Sequence, residues 1–573
     1  MPEQTKMPTA KQPQVTVGAV VSAFLEACGA RTAFGVISIH NMPILDAFAQ
    51  RGIIRFVPAR GEAGAGNMAD AYARSTSSLG VCVTSTGPAA GNIAGSMVEA
   101  YTAGTPLLHL TGQIETRYLD KKLAYIHEAP DQLTMLKSVS KAAFRVQSAD
   151  NILGVLRRAV QCAMTAPTGP VSLEIPIDIQ QSLVNMPSDL TPLPVPDLAP
   201  NAEALDALAK NISHAKRPML WLGGGARRAG AAVARLQKMG IGVVTTVQGR
   251  GIVPENTSGT LGAYNIQKPV EAFYQTCDAM LVTGSRLRSN ETLKYELKLP
   301  SPLYRCDVDP EADGRCYQND QFVCGDAQLV LEGLADRLEK IQYKADPNLI
   351  PDLDKVRETA ANELLAGLGP YSALVKQLQA AVGKDFNWVR DVTISNSTWG
   401  NRELKLTYPN AGVHATGGGI GQGLAMAIGA AVGAQQTQSG RKTFCLSGDG
   451  GFILNLGELA TAVQEKANMT VILMNDQGYG VIKNIQDAQY GGRRCYVDLH
   501  TPDYGQLCAS LKMDHVRVSD LGKLESTLKD AVHHQGPVLV EIDMLSIGSF
   551  KTNFAGPPVN KLEQIPAVSG ANA

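Results

Sequence analysis

Residues 446–480 carry two short clusters able to hold a cation against a phosphate. The first is Gly448-Asp449-Gly450-Gly451 and the second is Asn475-Asp476-Gln477-Gly478. Twenty-four residues separate Gly450 from Asn475. Each cluster follows a hydrophobic run that reads as a strand, and parallel sheets present their ligand sites at the carboxyl ends of strands. Glycine lets backbone N–H groups come close to a ligand, and a helix N-terminus favours an anion. Asp449 would repel a phosphate unless a cation stood between them. Mg²⁺, held by hard oxygen ligands, bridges carboxylate and phosphate oxygens in that way. Asp476 and the Gly478 carbonyl can complete the set. A lone Gly-Asp-Gly is more often a capped turn, but two clusters on successive strand ends weigh against that.

Other phosphate chemistries fit less well. No G-x-x-x-x-G-K-[ST] occurs, which disfavours a P-loop NTPase. The glycine runs at 223–225 and 417–423 do not keep the G-x-G-x-x-G register, so a nicotinamide dehydrogenase lacks its fingerprint.

The elements that must position these residues are legible as a pattern. Hydrophobic runs of four to six residues alternate with longer helical patterns along almost the whole chain. That is the mark of βαβ units and parallel sheets covered by helices. The expected fold is α/β, with three doubly wound parallel-sheet domains. The Pro-rich stretch NMPSDLTPLPVPDLAP (185–200) predicts an extended linker, and ADPNLIPDL (345–353) a softer break. The segments expected are 14–185, 200–343 and 355–560. There is an internal echo. VCVTS (81–85), TGPAAGN, a helix near 92–102 and PLLHLTG (106–112) parallel TFCLS (443–447), GDGGFILN, a helix near 456–466 and TVILMN (470–475). A domain duplicated and adapted to two ends of one ligand would leave such a trace.

Composition narrows the classes. The 573 residues exceed one hydrophobic core. With 52 Lys+Arg against 53 Asp+Glu, the net charge of −1 gives no basic surplus for nucleic acid or an anionic membrane. The 10 cysteines form no CxxC pair and several lie in apolar runs, which predicts buried, reduced thiols and a cytoplasmic location. LAMAIGAAVGA (424–434) is too short and too rich in Gly and Ala to span a bilayer and predicts a buried helix. The start, MPEQTKMPTAKQPQ, has no apolar segment of signal-peptide type, and the end, VSGANA, is expected to fray.

Four stretches, in order along nearly the whole chain, resemble the thiamine diphosphate-dependent enzymes. GDG, two dozen residues and Asn-Asp is similar to their diphosphate motif. ARGEAGAGNMADAYAR (59–74) is similar to the segment with their catalytic glutamate. VQGRGIVPENTSGTLG (247–262) and ATGGGIGQGLAMAIGAA (415–431) resemble their central-domain signature and the segment before the third domain's first long helix. The likeness is to the branch of acetolactate synthases, benzaldehyde lyase and benzoylformate decarboxylase. It implies a pyrimidine-binding first domain, a central domain of nucleotide-fold type and a diphosphate-binding third domain. It also implies thiamine diphosphate, Mg²⁺, and a homodimer or homotetramer with active sites between one subunit's first domain and its partner's third.

The same likeness assigns roles. Glu62 would bond the cofactor's pyrimidine nitrogen so that its amine can take the proton from thiazolium C2. Burial there should raise the carboxyl's pKa. Ile420 would sit beneath the two rings and bend the cofactor. Asn396 and Ser397, on a strand end with Ser395, would join Gly448, Gly450 and Gly451 around the diphosphate. Asp449, Asp476 and Gly478 would hold the metal. Asp70 and Arg74 read as an ordinary solvated or ion-paired helix face.

The chain departs from the family pattern at several points. Asp476 stands where Asn is usual, and Gly61 where many relatives have His. The paired His-His of pyruvate and indolepyruvate decarboxylases is missing from TGQIETRYLDKKLAYIHEAPDQ (111–132); His533-His534 is out of register. Gln113 matches the Gly-Gln of acetolactate synthases. Ile126-His127-Glu128 stands where they have Phe-Gln-Glu, so His127 can face substrate, as can His40 in ISIHNMP (37–43). A lone histidine is more often structural. In the central domain 223–225 and Arg286 partly match a flavin site, but the downstream Asp-Arg is absent. FAD is allowed without being supported, and an ADP-like ligand or an empty site is equally allowed. The expected activity is an acetolactate synthase-like carboligase or lyase. It would act on a 2-oxo acid or 2-hydroxy ketone through a C2-bound acyl carbanion. The alternatives are a benzoylformate-type decarboxylase or benzaldehyde lyase, and a catalytically silent binding or regulatory relative.

Overall fold

A computed structural model describes residues 14–552. The polar start up to residue 13, the end VSGANA and the last residues of the segment expected to reach 560 lie outside the described residues. The chain forms two compact units, one running to residue 195 without 74–76, the other taking 74–76 and the chain from 196 onward.

The first unit contains β1 (Gln14–Thr16), β2 (Thr32–Gly35), β3 (Arg55–Pro58), β4 (Gly80–Thr84), β5 (Leu107–Gln113), β6 (Ala142–Arg145), β7 (Pro170–Pro176) and β8 (Leu183–Asn185). Six of them form a parallel sheet in the order β3-β2-β4-β5-β7-β6. β4, β5 and β7 are buried along their whole length, which is why they read as nearly unbroken apolar runs. Phe24, Leu108, Leu110, Leu156 and Leu173 pack in one core beneath helices Val17–Ala27 and Ile152–Met164. β1 and β8 pair antiparallel as a separate two-stranded ribbon.

The second unit contains two parallel sheets. The central one has β9 (Pro218–Leu222), β10 (Gly242–Thr245), β11 (Ala279–Thr283), β12 (Leu303–Asp307) and β13 (Gln321–Cys324), in the order β10-β9-β11-β12-β13. The third has β14 (Phe386–Arg390), β15 (Gly412–His414), β16 (Lys442–Gly448), β17 (Met469–Asn475), β18 (Asp514–Val518) and β19 (Val538–Asp543), in the order β15-β14-β16-β17-β19-β18. Numbered within their own sheets, the strands of the first and third follow one order, 2-1-3-4-6-5. The internal echo thus extends to a whole sheet.

Several expectations are refined. The stretch 186–201 carries no helix or strand, as its prolines require. The softer break does not persist to 353, because helix Leu349–Gly367 starts inside it. Pro351 lies in that helix's first turn, where an N–H has no partner to lose. Helix Gly423–Gln436 is buried from Gly423 to Ala434. Among the described residues no helix is long and apolar enough to cross a membrane. Cys82, Cys277, Cys306, Cys445 and Cys508 are buried free thiols, whereas Cys316 and Cys495 are exposed. Asp70 and Arg74 are not a solvated face: both are buried, since helix Glu62–Thr76 is enclosed on every side from 64 to 74. Small Ala and Gly side chains leave no apolar stripe to reveal such burial.

Candidate active site

At the carboxyl end of the third sheet, β16 delivers Asp449 and β17 delivers the 475–478 turn. Asp449 is fully buried. Its Oδ2 accepts from the Gly478 N–H at 2.9 Å and its Oδ1 from the Asp476 N–H at 3.3 Å. Gln477 adopts a left-handed φ of 50°, and the Asn475 carbonyl Oδ1 accepts the Gln477 N–H at 3.2 Å to hold that bend. A Cβ on Gly450 would come 3.2 Å from the Gly478 carbonyl oxygen, so that carbonyl lies in the same corner as the two acids. Burial, then the neighbouring Asp476 charge, pushes the Asp449 carboxyl up to about 7. Burial raises Asp476 as well, opposed by the Lys483 ammonium. A divalent cation between two such carboxylates would relieve both burdens.

Gly448 opens the short helix Asp449–Phe452, with Gly450 and Gly451 in its first turn. Asn396 and Ser397 are not on a strand end. They lie in the helical turn Asn396–Gly400, beyond the end of β14. The Ser395 hydroxyl and the Asn396 Oδ1 are buried without a protein hydrogen-bond partner, as groups waiting on a ligand would be. Ile420 is 41% exposed on a loop between two left-handed glycines, Gly418 and Gly421. Asp391, fully buried, accepts the Gly421 N–H, and burial pushes its carboxyl up to about 6.

The first unit builds a different polar end. Glu62 opens helix Glu62–Thr76 and is half-buried rather than enclosed, its Oε2 accepting from Asn92 Nδ2 at 3.1 Å. His40 and His127 meet with ring centroids 5.2 Å apart. Glycines seat both: a Cβ on Gly112 would run into the His40 carbonyl, and one on Gly87 into that of His127. His40 is buried with its Nδ1 unpartnered. Burial and the facing His127 lower its pKa, against the pull of Glu115. Gln113, at the end of β5, is buried, and its Oε1 accepts the Ile114 N–H at 2.8 Å. Thr86 bridges Gln113 and Gln132 at 3.0 and 2.9 Å, and Gln132 also accepts the Gly87 N–H.

Comparison with known proteins settles the family. The chain matches the thiamine pyrophosphate enzyme N-terminal TPP binding domain over residues 15–135, the central domain over 205–334 and the C-terminal TPP binding domain over 394–542. It is 30% identical to a probable 2-ketoarginine decarboxylase of Pseudomonas aeruginosa over 94% of this chain and 95% of that protein. The chain belongs to the thiamine pyrophosphate enzyme family. Other relatives are a probable acetolactate synthase large subunit of Methanococcus aeolicus, 25% identical over 95% of this chain and 92% of that one. A probable chloroplastic acetolactate synthase 2 of Oryza sativa subsp. japonica is 27% identical over 94% and 84%.

As a thiamine pyrophosphate enzyme, the chain uses thiamine diphosphate. The sequence motifs identified the acids and glycines of the third sheet. They missed the Thr86–Gln132 bridge and Asp391, whose roles come from contacts far apart in the chain.

Proposed function

We propose that this thiamine pyrophosphate enzyme is Mg²⁺-dependent and decarboxylates a 2-oxo acid. Asp449, Asp476 and the Gly478 carbonyl would hold the cation, and the 448–451 loop with Asn396 and Ser397 the diphosphate. Glu62 would hold a proton at the pyrimidine nitrogen. The bound cofactor supplies a thiazolium carbon that accepts the electron pair released as carbon dioxide leaves. The observation that carries the proposal is the His40–His127 pair. The chain has no His-His motif in its first unit, yet the fold assembles two imidazoles from separate loops. A buried, neutral His40 can take up a proton at one nitrogen, with the facing His127 ring as its donor, while it passes the proton on its other nitrogen to the product, and solvent then reprotonates the pair. The relative with the printed name 2-ketoarginine decarboxylase agrees with this chemistry, and Glu115 beside His40 suits a cationic substrate end.

The second reading is carboligation of the acetolactate synthase type. It is favoured by Gly112-Gln113 and by the acetolactate synthases among the relatives. Under either, the working form is a homodimer or homotetramer, and FAD is not required by any step.

Incubation with thiamine diphosphate, Mg²⁺ and pyruvate or a cationic 2-oxo acid, with products read by NMR, tests both. The aldehyde alone supports decarboxylation, and acetolactate from pyruvate supports ligation. No product from either acid, with cofactor bound in calorimetry, would defeat both and favour the silent relative.

A further inference from the structure

Ile420 sits on a loop that has neither helix nor strand to stiffen it, between Gly418 at φ +83° and Gly421 at φ +84°. A side chain that must press on a ligand needs a backbone that does not yield, and two left-handed glycines alone supply none. The stiffness comes from outside. The Gly421 N–H donates to both oxygens of Asp391, at 3.0 and 3.1 Å. The Gly421 carbonyl accepts from Asn455 Nδ2 at 2.6 Å. The residue after Ile420 is therefore gripped at both its donor and its acceptor.

The two grips reach different elements. Asp391 directly follows β14, and its carboxylate also accepts from the Val392 N–H at 2.7 Å and the Ser447 hydroxyl at 3.4 Å. Asn455 ends the turn Ile453–Asn455, immediately past the 448–451 loop. The packing is close enough to demand glycine. A Cβ on Gly423 would lie 2.7 Å from the Asp391 Cβ, and one on Gly451 3.0 Å from Asp391 Oδ2. A fully buried carboxylate is a costly anchor for a loop that merely has to fold. Its several N–H donors instead fix one backbone position tightly.

We propose that Asp391 and Asn455 are positioning residues that clamp Gly421 and thereby set where Ile420 meets the cofactor. This rests on the assignment of Ile420 as the residue beneath the cofactor rings. The clamp ties Ile420 to the same strand end and the same loop that carry the diphosphate and metal groups, so the bend of the cofactor and its anchoring share one frame.

The test uses the full chain with thiamine diphosphate and Mg²⁺, without substrate. Cofactor affinity is read by calorimetry and C2 proton exchange by quenched-flow NMR in D₂O. Asn455→Ala is expected to slow exchange about tenfold, the scale of a small misplacement, with affinity changed less than about threefold. In an Ile420→Ala background it should add no further slowing, because both act through one contact. Asp391→Asn should show the same non-additivity with a larger fall. Wild-type exchange in Asn455→Ala, or slowing that adds to that of Ile420→Ala, would overturn the clamp. Unchanged exchange in Ile420→Ala alone would instead remove the assignment of Ile420, and the clamp with it.

Discussion

The first and third sheets thread their strands in one order and bring the same two loops together, yet those loops carry opposite chemistry. In the first, the loop after the third strand holds Thr86, whose hydroxyl donates to Gln113 at the end of the fourth. In the third, the corresponding loop holds Asp449, which accepts the N–H of Asp476 just past the fourth strand. A side chain stitches the two loops in both cases. One stitch is neutral and leaves histidines nearby; the other is anionic and suits a cation. The topology fixes where the loops meet, and the residues placed there decide which end of a ligand is welcome. Buried titratable groups differ in the same sense. His109 in β5, between Thr84 and Ser172, is pushed down to about 3 by burial, whereas Asp449 is pushed up to about 7.

Replacing the acid of the first sheet's end should do most damage. Glu62→Gln is expected to slow C2 exchange ~10²–10⁴-fold, the contribution of one placed acid–base group, with cofactor affinity retained. An unaltered exchange rate would remove Glu62 from that role. At the other sheet, Asp449→Ala should weaken cofactor binding by about 10²-fold and abolish its dependence on Mg²⁺. Calorimetry giving equal wild-type affinity with and without Mg²⁺ would break the contrast between the two ends. Removing either His40 or His127 should lower aldehyde formation only roughly tenfold, because the remaining ring can still pass a proton. The double variant should fall much further; a double variant no worse than either single one would show that the rings do not share the task.

The smallest effects are on stability and have opposite signs. His109 folds neutral, with a folded pKa of about 3 below its unfolded 6.5. Its stabilisation is full above pH 6.5 and declines in acid, by on the order of 2 kcal/mol between pH 6.5 and 5. Asp449 has a folded pKa raised from 3.8 to about 7. Its contribution is present below about pH 4 and is lost as pH rises through 7. Thermal unfolding of the metal-free protein at pH 5 and pH 8 should show the first unit weaker in acid and the second weaker in base. Mg²⁺ should restore the second unit at pH 8, and His109→Asn should flatten the acid limb of the first.

How far these features could be read from the sequence depended on distance along the chain. The Gly-Asp-Gly and Asn-Asp clusters were legible because each is a local loop at the end of an apolar run. The shared sheet order was visible as an echo of strand, loop, helix and strand. His40 and His127 were legible singly but not as a pair, because one lies in the short turn between β2 and helix Met42–Arg51 and the other in the long stretch between β5 and helix Gln132–Val139. Glu62 was placed by its motif, but its half-burial and its bond to Asn92 belong to the fold. Asn396 and Ser397 were expected on a strand end and lie instead in a helical turn, since the polar run 395–398 has no period that separates the two.

The ribbon of β1 and β8 has a consequence of its own. Thr16 pairs with Leu183, and the Val17 N–H reaches the Ser182 carbonyl at 3.0 Å. The chain thus leaves the first unit beside the point where it came in, as a drawstring closes a bag. A unit closed in this way can complete its core during synthesis, before residues beyond 200 have left the ribosome. Its neighbouring ends also suit it to being copied and spliced elsewhere in a gene without unravelling, the kind of event that a repeated sheet order preserves.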